Sequence, residues 1–163
     1  MLQSETSERT DPDQSTFKVP KADDRMIETR EQLENLIKDE MPNIQKHGFS
    51  AIECPGNSYS PEACKYLAEI IRKYANKSLW FADFSDMFTT RSIDNIPESV
   101  KALIDSIENK PIKELYLNSN AIGVRVVPSF DKFLMKASHL QHLNFSNCGF
   151  DPAASKLISD ALL

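Results

Sequence analysis

Cysteine is scarce in this chain: three in 163 residues, Cys54, Cys64 and Cys148. They form no CxxC pair and stand ten and eighty-four residues apart, spacings that fit neither a zinc site nor a disulfide framework. A reducing, intracellular setting is the expectation. Histidine is as rare, and His47, His139 and His142 have no carboxylate or cysteine at ligand spacing. The motifs G-x-S-x-G, GxxxxGKS/T and HExxH are missing, so no self-contained enzyme site is read and no cofactor or metal is implied. No apolar run approaches the about eighteen residues that a membrane span needs. The start "MLQSETSERTDPDQS" has no apolar segment for a signal sequence. A soluble, cytoplasmic protein with no membrane partner is expected.

An excess of basic charge is also lacking. Twenty-four Asp and Glu against nineteen Lys and Arg give a net charge of -5. That balance argues against nucleic acid and favours a basic or neutral protein patch as partner.

What the chain does have is a repeat. Four segments, "IECPGNSY", "LWFADFSD", "LYLNSNAI" and "LNFSNCGF", start at Ile52, Leu79, Leu115 and Leu143. Each is apolar at its first and third places: Ile52 and Cys54, Leu79 and Phe81, Leu115 and Leu117, Leu143 and Phe145. The sixth place holds Asn57, Phe84, Asn120 and Cys148. This is the pattern of a leucine-rich repeat, whose Asn or Cys bonds to backbone inside the turn. In this alignment the steps are 27, 36 and 28 residues, against a usual ~20 to 29, so the middle unit is long.

Helix signals follow each segment. Ser60 caps and Pro61 opens a helix with Ala63, Leu67, Ile70, Ile71 and Tyr74 on one face. Pro97 precedes Val100, Leu103, Ile104 and Ile107; "VPSFDKFLMKASH" turns Phe130, Phe133 and Leu134 inward; Asp151 and Pro152 precede Leu157, Ile158 and Ala161. The expected fold is therefore an α/β horseshoe, with parallel strands on its concave face and helices on its convex face. Residues 1–16 read as a disordered arm and 17–49 as an N-terminal cap. In the cap, "TREQLENLIKDEM" forms one helix begun by a Thr29/Gln32 capping box. Residues 50–163 are the repeats, about four, ending inside the last. That ending predicts an exposed apolar end at Leu157, Ile158, Leu162 and Leu163, as in a fragment, a truncated product or half of an assembly.

Extra residues in one unit of a solenoid emerge as a loop at its edge. Here they form "SDMFTTRSIDNI", with Asp86, Met87, Phe88, Arg91 and Asp94. Composition supports two readings equally. In one, Met87, Phe88, Ile93 and Ile96 pin a longer loop and Arg91 pairs with Asp86 or Asp94. In the other the loop is an interface, since aromatics, Met and Arg are enriched at protein contacts. Asn118 and Asn147 sit at variable places of the repeat and are read as solvated or facing a partner; Asn120 is read as a structural turn residue.

"FSDMFTTRSIDNIPESVKAL" resembles the F/W-S-D-M/I-F-T-G-R loop of the RanGAP family, the leucine-rich-repeat activators of the GTPase Ran. "ELYLNSNAIG", "LQHLNFSNCGF" and "GNSYSPEACKYLAEII" are similar to further repeats of that family. The resemblance is collinear from about 50 to 163. It implies activation of GTP hydrolysis on a Ran-type small GTPase in its GTP-bound form, in nucleocytoplasmic transport, at a cytoplasmic or nuclear-envelope location. In this family no arginine finger is inserted; the GTPase's own glutamine is held to orient the attacking water. By position, Arg91 matches the family's critical loop arginine and Asn147 the asparagine that places the GTPase's catalytic machinery. Asp86 and Thr89 match loop positions, and Asn118 is added as a candidate contact. Thr90 stands where the family has Gly, and Asn95 replaces an acidic residue. The alternative is a leucine-rich-repeat adaptor that binds a protein without activating a GTPase. Oligomeric state is left open.

Overall fold

The apolar places of the repeat become strands of three residues, and the capped segments between them become helices. The computed structural model describes residues 15–162. The chain runs through β1 (Thr16–Lys18), β2 (Met26–Ile27), α1 (Arg30–Leu36), α2 (Met41–His47), β3 (Ala51–Glu53), β4 (Ser58–Tyr59) and α3 (Pro61–Tyr74). Next come β5 (Phe81–Asp83), α4 (Ile96–Ile107), β6 (Glu114–Tyr116), a 3-10 helix over Val124–Ser129, α5 (Asp131–Lys136), β7 (His142–Asn144) and α6 (Pro152–Ala161). β1, β3, β5, β6 and β7 form one parallel sheet in that order, and successive helices pack on one another behind it. This is the expected α/β leucine-rich-repeat architecture.

Strand register corrects the sequence alignment. Ile52 pairs with Ala82, Ala82 with Leu115 and Leu115 with Leu143. The second segment therefore begins at Ala82, not Leu79, and its third place is Phe84. Its sixth place is Met87, while Phe81 lies on the open face of the sheet. The repeat steps become 30, 33 and 28 residues, so the surplus is shared between two units. The error arose because Leu79 is also fully buried: a short apolar residue ahead of the strand mimics its first inward place.

The inward rows are closed to solvent: Phe17, Ile52, Ala82 and Leu115 at the first place, Val19, Cys54, Phe84 and Leu117 at the third. Each Val, Leu, Ile or Phe side chain among them stabilises the stack by roughly 1.5–3 kcal/mol when fully buried. Strand β1 pairs with β3 in the register of the repeats, Phe17 opposite Ile52. The segment before the first recognised repeat thus supplies a fifth strand of the same sheet.

Caps sit where the sequence places them. The Thr29/Gln32 capping box is formed, Ser60 Oγ accepts from the Ala63 N–H at 3.1 Å, and Asp151 Oδ1 from the Ala154 N–H at 2.8 Å. Two helices differ from expectation. The segment from Thr29 breaks after Leu36, and a second helix, unread in the sequence, starts at Met41. Pro42 explains the restart, since it fits the first turn of a helix but not its interior. Pro128 likewise keeps Val124–Ser129 in a 3-10 helix ahead of α5, although Phe130, Phe133 and Leu134 are buried as expected. Leu157 is the exception in α6, 49% exposed beside the buried stripe of Ala154 and Ile158. Leu162 is exposed too, so of the apolar end expected at Leu157, Ile158, Leu162 and Leu163 only Ile158 is covered; Leu163 lies outside the described residues. So does most of the expected arm, of which Ser15 donates to the Gly48 carbonyl at 2.9 Å and Thr16 opens β1.

Candidate functional site

The turn after each strand repeats one backbone feature. Counting from the first inward residue, the fifth place is Gly56, Asp86, Ser119 and Asn147, and all four have positive φ: 86°, 48°, 60° and 57°. Gly, Asn and Asp tolerate this left-handed region best. The residues form a row along one edge of the sheet, stitched by backbone bonds from Asp86 N–H to the Asn118 carbonyl (3.1 Å) and from Ser119 N–H to the Ser146 carbonyl (2.9 Å). Asp86 and Asn147 are therefore equivalent positions two units apart. Asn118 holds the fourth place, as do Ser85 and Ser146, one place before the position of Asn147 in the repeat.

Under this row runs a ladder of buried amides at the sixth place. Asn57 accepts from the Ala22 N–H at 2.8 Å and donates to the Pro20 carbonyl at 2.8 Å. Asn120 accepts from the Met87 N–H at 2.8 Å and donates to the carbonyls of Phe84 and Leu117, each at 2.8 Å. Cys148 Sγ lies 3.2 Å from the same Leu117 carbonyl. Each amide thus satisfies backbone groups of the preceding turn that packing would otherwise leave unpaired.

The long loop rests on this edge. Met87 and Phe88 are buried and Ile93 is 51% exposed, so the first two pin the loop and Ile93 does not. Arg91 pairs with neither Asp86 nor Asp94. Its Nη1 meets Glu28 Oε1 and Oε2 at 2.8 and 2.7 Å. Its Nε donates to Ser58 Oγ at 3.0 Å, and Nη2 to the Ser58 and Ile27 carbonyls at 2.6 and 3.3 Å. The fork thereby clamps the loop to β2 and β4, which pair parallel, and only 10% of the side chain remains exposed. Asp86 pairs instead with Arg25 at 2.8 Å, and Asp94 with Arg125 at 2.9 Å. Asp86 Oδ1 also accepts from the Thr89 hydroxyl at 2.6 Å. The structure thus brings Asp86, Thr89 and Arg91 into one loop and places Asn147 further along the same edge. Asn147 is exposed, and among the described residues its amide makes no hydrogen bond.

Sequence reasoning missed Glu28, Ser58 and Arg25. All three lie between 31 and 63 residues from the groups they hold, and nothing local marks such partners. The one available signal was Arg91 itself, whose five donors demand acceptors when buried. The cysteines offer no chemistry: burial pushes the Cys64 thiol up to about 12 and that of Cys54 well above its ordinary range, so neither forms a thiolate nucleophile near neutral pH. Among the described residues no His, Cys, Asp and Glu cluster could hold a metal, and no helix is long and apolar enough to cross a membrane.

Thr90 carries strain. Its φ is 66°, a left-handed conformation that costs a β-branched residue about 1–2 kcal/mol. The glycine-type conformation is therefore retained without glycine. Thr90→Gly is expected to raise stability by roughly 0.5–1 kcal/mol after the added unfolded-state entropy of glycine. In thermal unfolding that is a gain of about 1–4 °C, and a lower Tm would show that the exposed Thr90 side chain contributes more than its strain costs.

No family model matches the chain. Comparison with curated proteins finds 31% identity over 114 residues with Ran GTPase-activating protein 1 of Saccharomyces cerevisiae, covering 68% of this chain and 28% of that protein. Ran GTPase-activating protein 1 of Xenopus laevis is 30% identical over 141 residues, 83% of this chain and 23% of its own length. Ran GTPase-activating protein of Drosophila melanogaster is 32% identical over 116 residues, 66% of this chain and 18% of its own. The chain thus spans between 18 and 28% of the length of these relatives.

Proposed function

The chain belongs to the family of Ran GTPase-activating proteins, and from that premise we propose that it binds a Ran-type small GTPase in its GTP-bound form and accelerates GTP hydrolysis. The contact is the turn edge: the Asp86–Thr89 pair on the loop that Arg91 holds in place, with Asn118 and Asn147 on the turns after β6 and β7. Such an activator regulates another protein's active site and acts in nucleocytoplasmic transport from the cytoplasmic side.

The observation that carries the reading is the state of Arg91. An arginine finger must reach a phosphate, where it is worth about 10³–10⁵ in rate. Arg91 has every nitrogen committed within its own chain, so its role is to position the loop. Acceleration then depends on groups that orient the GTPase's own catalytic residue, and the exposed amide of Asn147 is the candidate.

The test is single-turnover hydrolysis by GTP-loaded Ran, with and without this chain, alongside Asn147→Gly. Glycine keeps the left-handed turn and removes the side chain with its amide. Acceleration by the native chain and a loss of about ten- to a hundredfold in the variant is expected, as for a misplaced catalytic group. Equal acceleration by both would remove Asn147 from the site. A second reading, an adaptor that binds without activating, draws on the departures at Thr90 and Asn95; binding of Ran with hydrolysis unchanged would favour it.

A further inference from the structure

The sheet face turned away from the helices carries two rows of side chains. Aligned by register, one row is Thr16, Ala51, Phe81, Glu114 and His142, the other Lys18, Glu53, Asp83, Tyr116 and Asn144. Across β5, β6 and β7 the rings form a zigzag: Phe81 to Tyr116 at 5.6 Å between centroids, and Tyr116 to His142 at 5.1 Å, stacked at 30°. Trp80 extends it, 5.5 Å from Phe81. Phe81 and Tyr116 are half-buried and His142 is exposed, so the rings offer edges and faces to solvent.

Carboxylates interleave with these rings. Glu114 lies between Phe81 and His142 in its row, 3.4 Å from the Tyr116 hydroxyl, and Asp83 neighbours Tyr116 in the other. Partial burial together with Glu114 and Asp83 raises the Tyr116 phenol above its usual range, in keeping with a negative local field. Of the basic groups, Lys18 is paired with Glu53 at 3.0 Å at the β1 end, and Lys113 precedes β6. The turn edge of the proposed GTPase contact is separate, formed by residues beyond the strand ends.

We propose that this open face docks an extended, arginine-rich polypeptide segment. A guanidinium stacks on aromatic rings and forks onto carboxylates, and here both partners alternate at adjacent strands. Lysine, a compact point charge, uses only half of that arrangement. The inference does not rest on the GTPase reading, and its test involves no GTPase.

A fluorescent peptide of alternating Arg and Ser is titrated into the full chain, following peptide anisotropy and the emission of Trp80, the single tryptophan. The Arg peptide is expected to bind severalfold more tightly than its Lys counterpart, a Glu counterpart not at all, and Trp80 emission to change. Tyr116→Ala and Glu114→Gln should each weaken binding about three- to tenfold. Glu98→Gln, on α4 at the opposite face, should leave it unchanged. Glu114→Gln keeps the test decisive if Tyr116→Ala fails to fold. No binding of the Arg peptide, equal binding of the Lys peptide, or equal weakening by Glu98→Gln would overturn the proposal. So would tighter binding of a single-stranded oligonucleotide, the other ligand class that a row of rings can stack.

Discussion

Arg91→Ala is expected to lower folding stability by about 2–4 kcal/mol and, under the proposed function, to remove the acceleration of GTP hydrolysis together with the ordered loop. The alanine would leave the Ser58 and Ile27 carbonyls and the Ser58 hydroxyl without their charged donor, and charge-assisted bonds contribute about 1.5–3 kcal/mol each where water is excluded. Glu28 limits the loss. It is 49% exposed, so water can solvate it once the arginine is gone, and the full cost of orphaning a buried charge does not apply. For a chain of this size the expected fall in Tm is roughly 4–16 °C. A loss below about 1 kcal/mol would place Arg91 among ordinary surface pairs.

Arg91→Lys separates charge from geometry. Lysine can keep an ion pair with Glu28 but cannot span Glu28, Ser58 and Ile27 with one planar fork, so it should restore little of the lost stability. The functional consequence can be separated as well. If Arg91 acts by holding the loop, Glu28→Gln must also reduce GTPase acceleration, and a double-mutant cycle must show the two residues coupled. A finger arginine would be indifferent to Glu28.

The fold was legible because its signals are local. A Ser or Thr cap, a following Pro and an i, i+3, i+4 apolar stripe can be read within one turn of chain, and α3 and α6 start where Ser60 and Asp151 predict. Register was less legible. Leu79 and Ala82 are both fully buried, and an alanine at an inward place gives a weaker signal than the leucine before it. Local pattern therefore chose the wrong residue, and only hydrogen-bonded pairing across strands corrects it.

Site residues fall on either side of the same line. The loop itself announces its surplus length, and Asn120 its turn role, through spacing alone. Arg25, Ile27 and Glu28, which hold Asp86 and Arg91, come from the segment before the first recognised repeat, across separations of 61 to 64 residues, and Ser58 comes from that repeat at a separation of 33. Such pairings depend on how successive units stack. The equivalence of Asp86 and Asn147 was hidden for a related reason: it is a shared backbone conformation, and two different side chains satisfy it.

Asn120→Ala is the substitution expected to approach or exceed the effect at Arg91, at about 3–5 kcal/mol. Asn120 is 1% exposed, and its amide satisfies three backbone groups: the Met87 N–H and the carbonyls of Phe84 and Leu117. Each such group left unpaired in the interior costs about 1–3 kcal/mol, with some relief if water enters the cavity that alanine leaves. Since Met87 opens the long loop, the variant should also loosen the turn that carries Asp86 and Thr89, without touching either side chain. Asn120→Asp is the sharper probe. It keeps one acceptor for the Met87 N–H and sets a second oxygen against two carbonyls, which only a protonated carboxyl can relieve. Burial favours that neutral form, so the folded-state pKa of the new carboxyl is raised above its unfolded value. The variant is then least destabilised at acidic pH and loses stability as pH rises through the raised value. Chemical denaturation across a pH series reads this directly. A pH-independent loss below about 1 kcal/mol in both variants would mean that the amide ladder is dispensable and that packing of the apolar rows alone holds the repeats in register.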